Sequence, residues 1–395
     1  MPDRTALIAG WARSAVAPHG GAFGALQPHE IAAPVLQAML ARAGVNPHAV
    51  DAVVVGNALG AGGNPARMIA LASGMPERCA AFSIDTQCCS GIDAVSMAVG
   101  LLATGQASVV IAGGVEAWSR SPIRQVRPMR EGDLAVTYER PAFAPEPAQD
   151  PDLLVSAALY ARQHGFTRAQ QDAYAVLSHQ RAVAHQATLA AEIVQVNGLP
   201  YDAYPRSINL ARAARMPVAV RPKAISDGTV PGQSEDDTCS VSTLAISSKA
   251  DGAALVLLAT PQACQDLGIA AQARWISSAS VGSDPATPLL AAEKAAVAVM
   301  LRAGLVSVDH LRAIELHDAF AVQGLSFCRA LGIDPTRINR HGGGLARGHP
   351  IGASGAVSLV RLLADLWRDE VPGARGLVAA AGAGGIGAAA ILERL

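Results

Sequence analysis

A helix-then-strand pattern occurs twice in this chain, once towards each end, and it constrains the fold more than any other feature. Ser90-Gly91-Ile92-Asp93-Ala94-Val95-Ser96-Met97 opens a helical run that leads to a strand ending in glycines. Ser354-Gly355-Ala356-Val357-Ser358-Leu359 does the same near the C-terminus. A single shared motif would be weak, but the shared helix–strand–glycine order implies a duplication. Two similar α/β halves are expected, each with helices covering a mostly parallel sheet. The 395 residues exceed one ordinary core, so two or three domains are expected. A hydrophobic content of 51% with 38 glycines fits buried sheet and many tight turns.

Periodicity places the elements. Residues 5–10 read as a strand and Trp11 to Gln27 as a loop. Pro28 to Ala43 has helical spacing and Gly44 is a C-terminal stop. Val50 to Val55 reads as a strand, Ala66 to Ser73 as a helix, and Cys79 to Ile84 as a buried strand. Ala107 to Gly113 is another strand. From Ser119 to about Ser248 prolines, arginines and charges increase, and only Asp152 to Ala187 is clearly helical, with a break at Gly165. That texture predicts a separate excursion or subdomain. The acidic run Glu235-Asp236-Asp237 reads as a solvated loop. Core texture returns at Ala250 to Thr260; a helix follows at Pro288 to Ala303, a strand at Ala313 to Asp318 and a helix at Ala319 to Leu331. Ser354 to Trp367 is a helix, and Gly376 to Ala381 reads as the final strand.

Composition excludes several classes. A net charge of −1 offers no electrostatic case for nucleic acid or an anionic membrane as partner. The six cysteines have no metal-ligand spacing and no dense disulfide pattern, so no metal is expected and a reducing cytoplasm is. No secretory pattern opens the chain, and no uncharged apolar run reaches the ~18 residues of a membrane span.

Chemistry is concentrated at strand ends and glycine-rich loops. Asp85-Thr86-Gln87-Cys88-Cys89-Ser90-Gly91 sets a cysteine at a strand-to-helix turn. Unpaired N–H groups and the helix dipole favour a thiolate there, and the thiolate is the nucleophile. A buried structural cysteine is the competing reading. A nucleophilic cysteine needs a base, and histidine titrates in the right range. His349 lies between Gly348 and Pro350, which would hold the imidazole rigidly; a solvated loop histidine is its alternative. His317 ends an apolar strand, where a hydrogen-bonded core histidine is equally in keeping.

With these stretches in hand, the chain resembles the thiolase family over nearly its full length. The resemblance rests on Asn64-Pro65-Ala66-Arg67, Cys88-Cys89-Ser90-Gly91, Gly113-Gly114-Val115-Glu116, His317-Asp318-Ala319-Phe320, Asn339-Arg340-His341-Gly342-Gly343-Gly344 and Gly348-His349-Pro350-Ile351-Gly352-Ala353-Ser354-Gly355. Several long motifs in one order are far more specific than a lone pattern. The resemblance implies an α/β thiolase fold: two duplicated halves forming a five-layered αβαβα structure with an inserted loop domain. Residues 1–118 with 249–268 would form the N-terminal half, 119–248 the loop domain and 269–395 the C-terminal half. It further implies an acyl-CoA acyltransferase that forms or cleaves 3-ketoacyl-CoA, with no tightly bound cofactor, a coenzyme A thioester as substrate, and a homodimer or homotetramer.

Roles also follow from the resemblance. Cys88 would be the nucleophile, Cys89 the variable residue beside it, His349 the base, and His317 a polar partner of the thioester oxygen. The backbone N–H groups of Cys88 and Ala383 would form an oxyanion hole, and Ser247, Ala381 and Gly382 would contact substrate. Three departures stand out. The family's second cysteine, which moves the α-proton of the attacking thioester, aligns with Ala381. Loss of such a group typically costs ~10²–10⁴-fold. The family's commoner asparagine is His317 here, so Cys88, His317 and His349 also resemble the Cys-His-His set of decarboxylating ketoacyl synthases. Leu153 to Ala158 and Leu244 to Ser248 replace family stretches that shape the acyl and pantetheine pocket. A decarboxylating condensing enzyme, transfer to an acyl carrier or other non-CoA acceptor, and a non-catalytic binding subunit therefore stand as alternatives.

Overall fold

A computed structural model of the chain describes residues 3–60, 62–222 and 237–395. Its first half runs β1 (Leu7–Ser14), α1 (Pro28–Ala43), β2 (Ala52–Gly56), α2 (Pro65–Ala72), β3 (Ala80–Ile84), α3 (Ser90–Thr104) and β4 (Val109–Ala117). After an excursion carrying α4 (Leu153–His164) and α5 (Arg168–Ala184), β5 (Ala250–Ala259) completes that half. The second half runs β6 (Ala273–Gly282), α6 (Ala291–Arg302), β7 (Leu311–His317), α7 (Ala321–Leu331), α8 (Ile351–Arg368), β8 (Arg375–Gly382) and β9 (Ile386–Arg394).

The duplication is legible strand by strand. The strand order is β7-β8-β9-β6-β1-β5-β4-β2-β3. In the first half β2 and β4 are parallel, β4 and β5 antiparallel, and β5 and β1 antiparallel. In the second half β7 and β8 are parallel, β8 and β9 antiparallel, and β9 and β6 antiparallel. Leu7↔Arg274 and Ile8↔Ala273 pair across the junction of the two half-sheets.

Alternating side chains sort into layers, because successive strand residues face opposite sides. Val53 and Val55 pack outward on α1 and α2, while Ala52 and Val54 face inward onto α3 and α8. In the other half Leu377 and Ala379 face the outer core with α6, and Val378 and Ala380 face the same central layer. The result is helix, sheet, paired central helices, sheet, helix. Gly91 and Gly355 let the central helices meet at their first turns: a Cβ at Gly91 would lie 2.5 Å from the Ala356 nitrogen, and one at Gly355 2.9 Å from Ile92 Cγ1. Gln87–Thr104 is long and apolar enough to cross a membrane by composition alone, but here α3 is a core helix between two sheets.

Several expectations change. β1 runs on to Ser14 through residues expected as loop. Ala80–Ile84 is not buried: it forms the open edge of the sheet, with Phe82 44% exposed. Its apolar run reads like an interior strand because periodicity alone does not tell an edge from an interior. Gly376 to Ala381 is not the final strand either; a glycine hairpin returns as β9. Between α4 and α5, Gly165 takes a left-handed C-cap, as its sequence suggested. Among the described residues, Ala158, Tyr174, Val176, Val241 and Leu244 of the excursion pack into the outer core of the second half, and Ala157, Tyr160, Ala161, Phe166 and Cys239 form a smaller cluster with Leu289, Phe320 and Val322. Of the acidic run, Asp237 is an exposed partner of Arg221; Glu235 and Asp236 lie outside the described residues.

Candidate active site

The turn between β3 and α3 is built to present Cys88. Gln87 adopts φ 55, a conformation few non-glycine residues hold. Asp85 Oδ1 secures it, accepting from the Gln87 N–H at 2.9 Å and its side-chain amide at 3.2 Å. Ser90 locks the turn from the other side: its hydroxyl donates to the Gln87 carbonyl at 2.6 Å and accepts from the Thr86 N–H at 2.9 Å.

At the start of α8 the second half presents His349. Its N–H donates to the Ser248 carbonyl at 2.7 Å, and its Nε2 lies 3.1 Å from Cys88 Sγ. Ser354 Oγ sits 2.7 Å from His349 Nδ1 and 3.0 Å from the Pro350 carbonyl. A carbonyl can only accept, so a hydroxyl proton given to Pro350 leaves the Ser354 oxygen to accept from Nδ1, an arrangement that favours the imidazole proton on Nδ1. In that tautomer Nε2 is a bare lone pair facing the thiol. Glu116 at the end of β4 ties this helix start to the first half. It accepts from the N–H groups of Gly352 at 3.0 Å and Ala58 at 2.9 Å, and from the Asn57 amide at 2.8 Å. His317 ends β7 in full burial, stacked on His349 with ring centroids 4.5 Å apart and planes 22° from parallel. Its Nε2 is a buried polar atom without a hydrogen-bond partner among the described residues. The adjoining Asp318 points elsewhere, accepting from the Tyr174 hydroxyl at 2.9 Å.

Burial dominates the electrostatics. It pushes the Cys88 thiol up to about 12, against opposing hydrogen bonds from the backbone N–H groups of Cys88 and Ala383. It lowers His349 to about 4. Burial, the neighbouring His349 ring and Arg347 hold His317 well below the ordinary histidine range. Burial thus opposes the helix-terminus effect at this turn: it favours neutral thiol and neutral imidazole in the free protein, with charge separating as Nε2 takes the thiol proton.

The structure brings Cys88, His349 and His317 together and sets the Ala383 N–H against the sulfur. Gly382 lies over the turn, where a Cβ would come within 3.1 Å of the Thr86 carbonyl. Ala381 is a buried methyl at the end of β8, with no proton to move. Cys89 does not replace the missing thiol: it is fully buried in the central layer, its Sγ donating to the Ala380 carbonyl at 3.4 Å. The Ser247 hydroxyl is committed to the Gly344 carbonyl at 2.6 Å, and its N–H to Ala319 at 2.8 Å, so it fastens two loops of the site. Sequence reasoning quoted Ser354 and Glu116 within motifs without assigning them work. The available signal was spacing: a serine five residues after His349, and a buried acid at a strand end.

Comparison with known proteins agrees with this architecture. Residues 6–262 match the thiolase N-terminal domain and residues 269–394 the thiolase C-terminal domain. An acetyl-CoA acetyltransferase of Allochromatium vinosum is 34% identical, with 97% of each chain aligned. The crystal structure of the Bacillus anthracis acetyl-CoA acetyltransferase superposes with a TM-score of 0.88 at 28% identity over 100% of both chains. Human mitochondrial 3-ketoacyl-CoA thiolase, solved with CoA, shares the fold at TM-score 0.88 and 24% identity, covering 99% of this chain and 98% of that one. The chain belongs to the thiolase family and is a thiolase-type acyltransferase.

Proposed function

We propose that the chain transfers acyl groups from acetyl-CoA or a related acyl-CoA through an acyl-enzyme on Cys88. The observation that carries this is the 3.1 Å contact between Cys88 Sγ and His349 Nε2. Nε2 takes the thiol proton as sulfur attacks the thioester carbonyl. The tetrahedral oxyanion collapses, the CoA thiolate leaves, and the imidazolium returns the proton to it. The N–H groups of Cys88 and Ala383 are positioned to hold one developing oxyanion, and His317 Nε2, neutral and unpartnered, to donate to the other thioester oxygen. In the second half-reaction free CoA or a second acyl-CoA takes the acyl group, so that 3-ketoacyl-CoA is cleaved or formed. Coenzyme A thioesters serve as substrates, with no resident cofactor or metal, in the cytoplasm. The parts assigned to 1–118 with 249–268, 119–248 and 269–395 give nucleophile half, loop domain and base half.

Ala381 favours a second reading of the acceptor step. Without a proton-moving group there, a malonyl-type donor that generates its carbanion by losing CO₂, or an acceptor outside CoA such as a carrier-bound thiol, needs less from the site. The intact Cys88–His349 contact argues against a non-catalytic binding subunit. A homodimer or homotetramer is supported by the open β3 edge and by exposed Met68, Leu71 and Met97 beside it.

Intact-protein mass spectrometry after mixing with acetyl-CoA tests the proposal. A mass gain reversed by free CoA and absent in Cys88→Ala is expected. No gain from any acyl-CoA or carrier-bound acyl donor would remove Cys88 as the nucleophile.

A further inference from the structure

The chain carries 28 arginines but 3 lysines. Its buried arginines are paired with acids: Arg13 with Glu192 and Asp202, Arg361 with Glu192 and Asp365. Lys249 is different. Among the described residues its ammonium has no ion pair and no hydrogen bond; its partner is the Trp118 ring, with Nζ 5.1 Å from the centroid. Trp118 in turn lies 6.3 Å, centroid to centroid, from the His349 imidazole.

Both residues are held where they are by their backbones. Lys249 pairs in a short parallel bridge with His349, and its carbonyl accepts from the His19 N–H at 3.0 Å. Trp118 follows β4, and the next residue, Ser119, donates its N–H at 2.9 Å and its hydroxyl at 2.5 Å to buried Asp251. Asp251 lies two residues beyond Lys249 in β5, so one carboxylate frames both. Trp118 is partly exposed and Lys249 exposed, so the pair is accessible. An ammonium over an indole face keeps its attraction for an anion while part of its water is displaced by the ring. The apolar stem and indole offer a wall for methylene groups.

We infer that Trp118 and Lys249 select the acyl group: Trp118 lies along the chain and Lys249 reads a carboxylate at its far end, so ω-carboxyacyl thioesters are preferred over neutral chains of equal length. This rests on Cys88 being the acyl-accepting nucleophile. The phosphates of coenzyme A are the other anions a substrate brings, but they lie a whole pantetheine arm from the reacting sulfur. Lys249 stands one indole away from the imidazole that touches Cys88.

The test compares Cys88 acylation, followed by mass, with glutaryl-CoA against pentanoyl-CoA and adipyl-CoA against hexanoyl-CoA, in the wild-type protein and Lys249→Met. The methionine keeps an unbranched stem and removes the charge. The carboxylated member of each pair is expected to acylate about tenfold faster at limiting concentration, as one charge-assisted contact allows. Lys249→Met is expected to erase most of that ratio. A wild-type ratio near one, a ratio unchanged in the variant, or equal slowing of both members, which would assign Lys249 to the CoA moiety, each overturns the inference. Acylation with an unchanged ratio defeats this inference alone, whereas no mass gain with any thioester defeats the nucleophile assignment as well.

Discussion

The two halves of the molecule share a strand order and differ at its outer end. In the second half the edge strand β7 is covered: Ile338 bridges to Ile314, and the Asn339 side chain accepts from the Leu316 N–H at 2.8 Å. In the first half the equivalent strand, β2, carries one strand more, β3, whose outer edge is open. The catalytic load is divided as well. The helix start that follows β3 presents the thiol, and the corresponding start in the other half presents the imidazole. On the proposed mechanism one duplicated frame is thus divided into a nucleophile half and a base half, and the extra strand lies beside the thiol, at the only open edge of the main sheet among the described residues. The comparison teaches that duplication supplied the scaffold and local turns supplied the chemistry.

The largest effect should come from breaking that division at the base. His349→Ala is expected to lower Cys88 acylation ~10²–10⁴-fold, measured as the first-turnover release of CoA from acetyl-CoA. The same assay run against pH checks the electrostatics. His349 must be neutral to act, and burial lowers it to about 4, so the rate should hold from neutral pH down towards 5 and fall below that. A simple exposed histidine would show its loss near 6.5. At the high end, Cys88 raised to about 12 should give no inflection at the ordinary thiol value near 8.5. An inflection at either ordinary value would show that burial does not shift that group, and a thiol inflection well below 8.5 would show that the resting pair is ionised.

Next in size is a gain. Ala381→Cys restores a thiol at the end of β8, opposite the nucleophile half. It is expected to raise α-proton exchange of acetyl-CoA in deuterated buffer by about 10²-fold, the low end of what a positioned acid/base contributes. If exchange is already fast in the wild-type protein and does not change, another group moves that proton; His317→Ala then tests the nearest one.

The open edge offers a smaller test. Phe82→Glu places a charge on β3, where pairing with a second copy would bury it. For the proposed dimer, the dissociation constant measured by sedimentation should rise at least about tenfold, since an unpaired charge in an interface is strongly unfavourable. An unchanged constant would move the interface elsewhere on the chain.

How much of this was legible in the residues follows from the range of the forces involved. The duplication, α1 with its glycine stop, the Gly165 break and the Cys88, His349 and His317 set could all be read, because periodicity, turn chemistry and long motifs are local. The exposure of Ala80–Ile84 could not be read: an apolar run has the same pattern at an open edge as in an interior. The β8–β9 hairpin was missed because Gly382 to Gly387 looked like a site loop, and a loop with a role still has to lead somewhere. At Cys88 two effects of different magnitude compete. A helix terminus contributes roughly 1 kcal/mol near an exposed surface, whereas desolvation of a buried thiolate is worth several pKa units. Sequence shows the terminus and hides the burial. Lys249 beside Trp118 was likewise invisible, since 131 positions separate two residues that the β4–β5 pairing brings together.

The finest test compares the two duplicated serines. Ser90 and Ser354 occupy matching places, each with its hydroxyl turned back on a carbonyl of the preceding turn. Ser90 spends its remaining acceptor on the Thr86 N–H, a backbone group. Ser354 spends it on His349 Nδ1, a catalytic partner. The same substitution should therefore read out differently. Ser90→Ala leaves a backbone N–H without its partner and should lower stability by about 1–3 kcal/mol in urea unfolding. Ser354→Ala leaves Nδ1 unpartnered and frees the imidazole to carry its proton on Nε2 instead, where it faces the thiol and blocks proton transfer. Acylation should fall about tenfold, with recovery in Ser354→Thr, whose hydroxyl can make the same contact. Equal losses of rate in both alanine variants would mean that Ser354 only shapes its helix, and the division of labour between the halves would stop at Cys88 and His349.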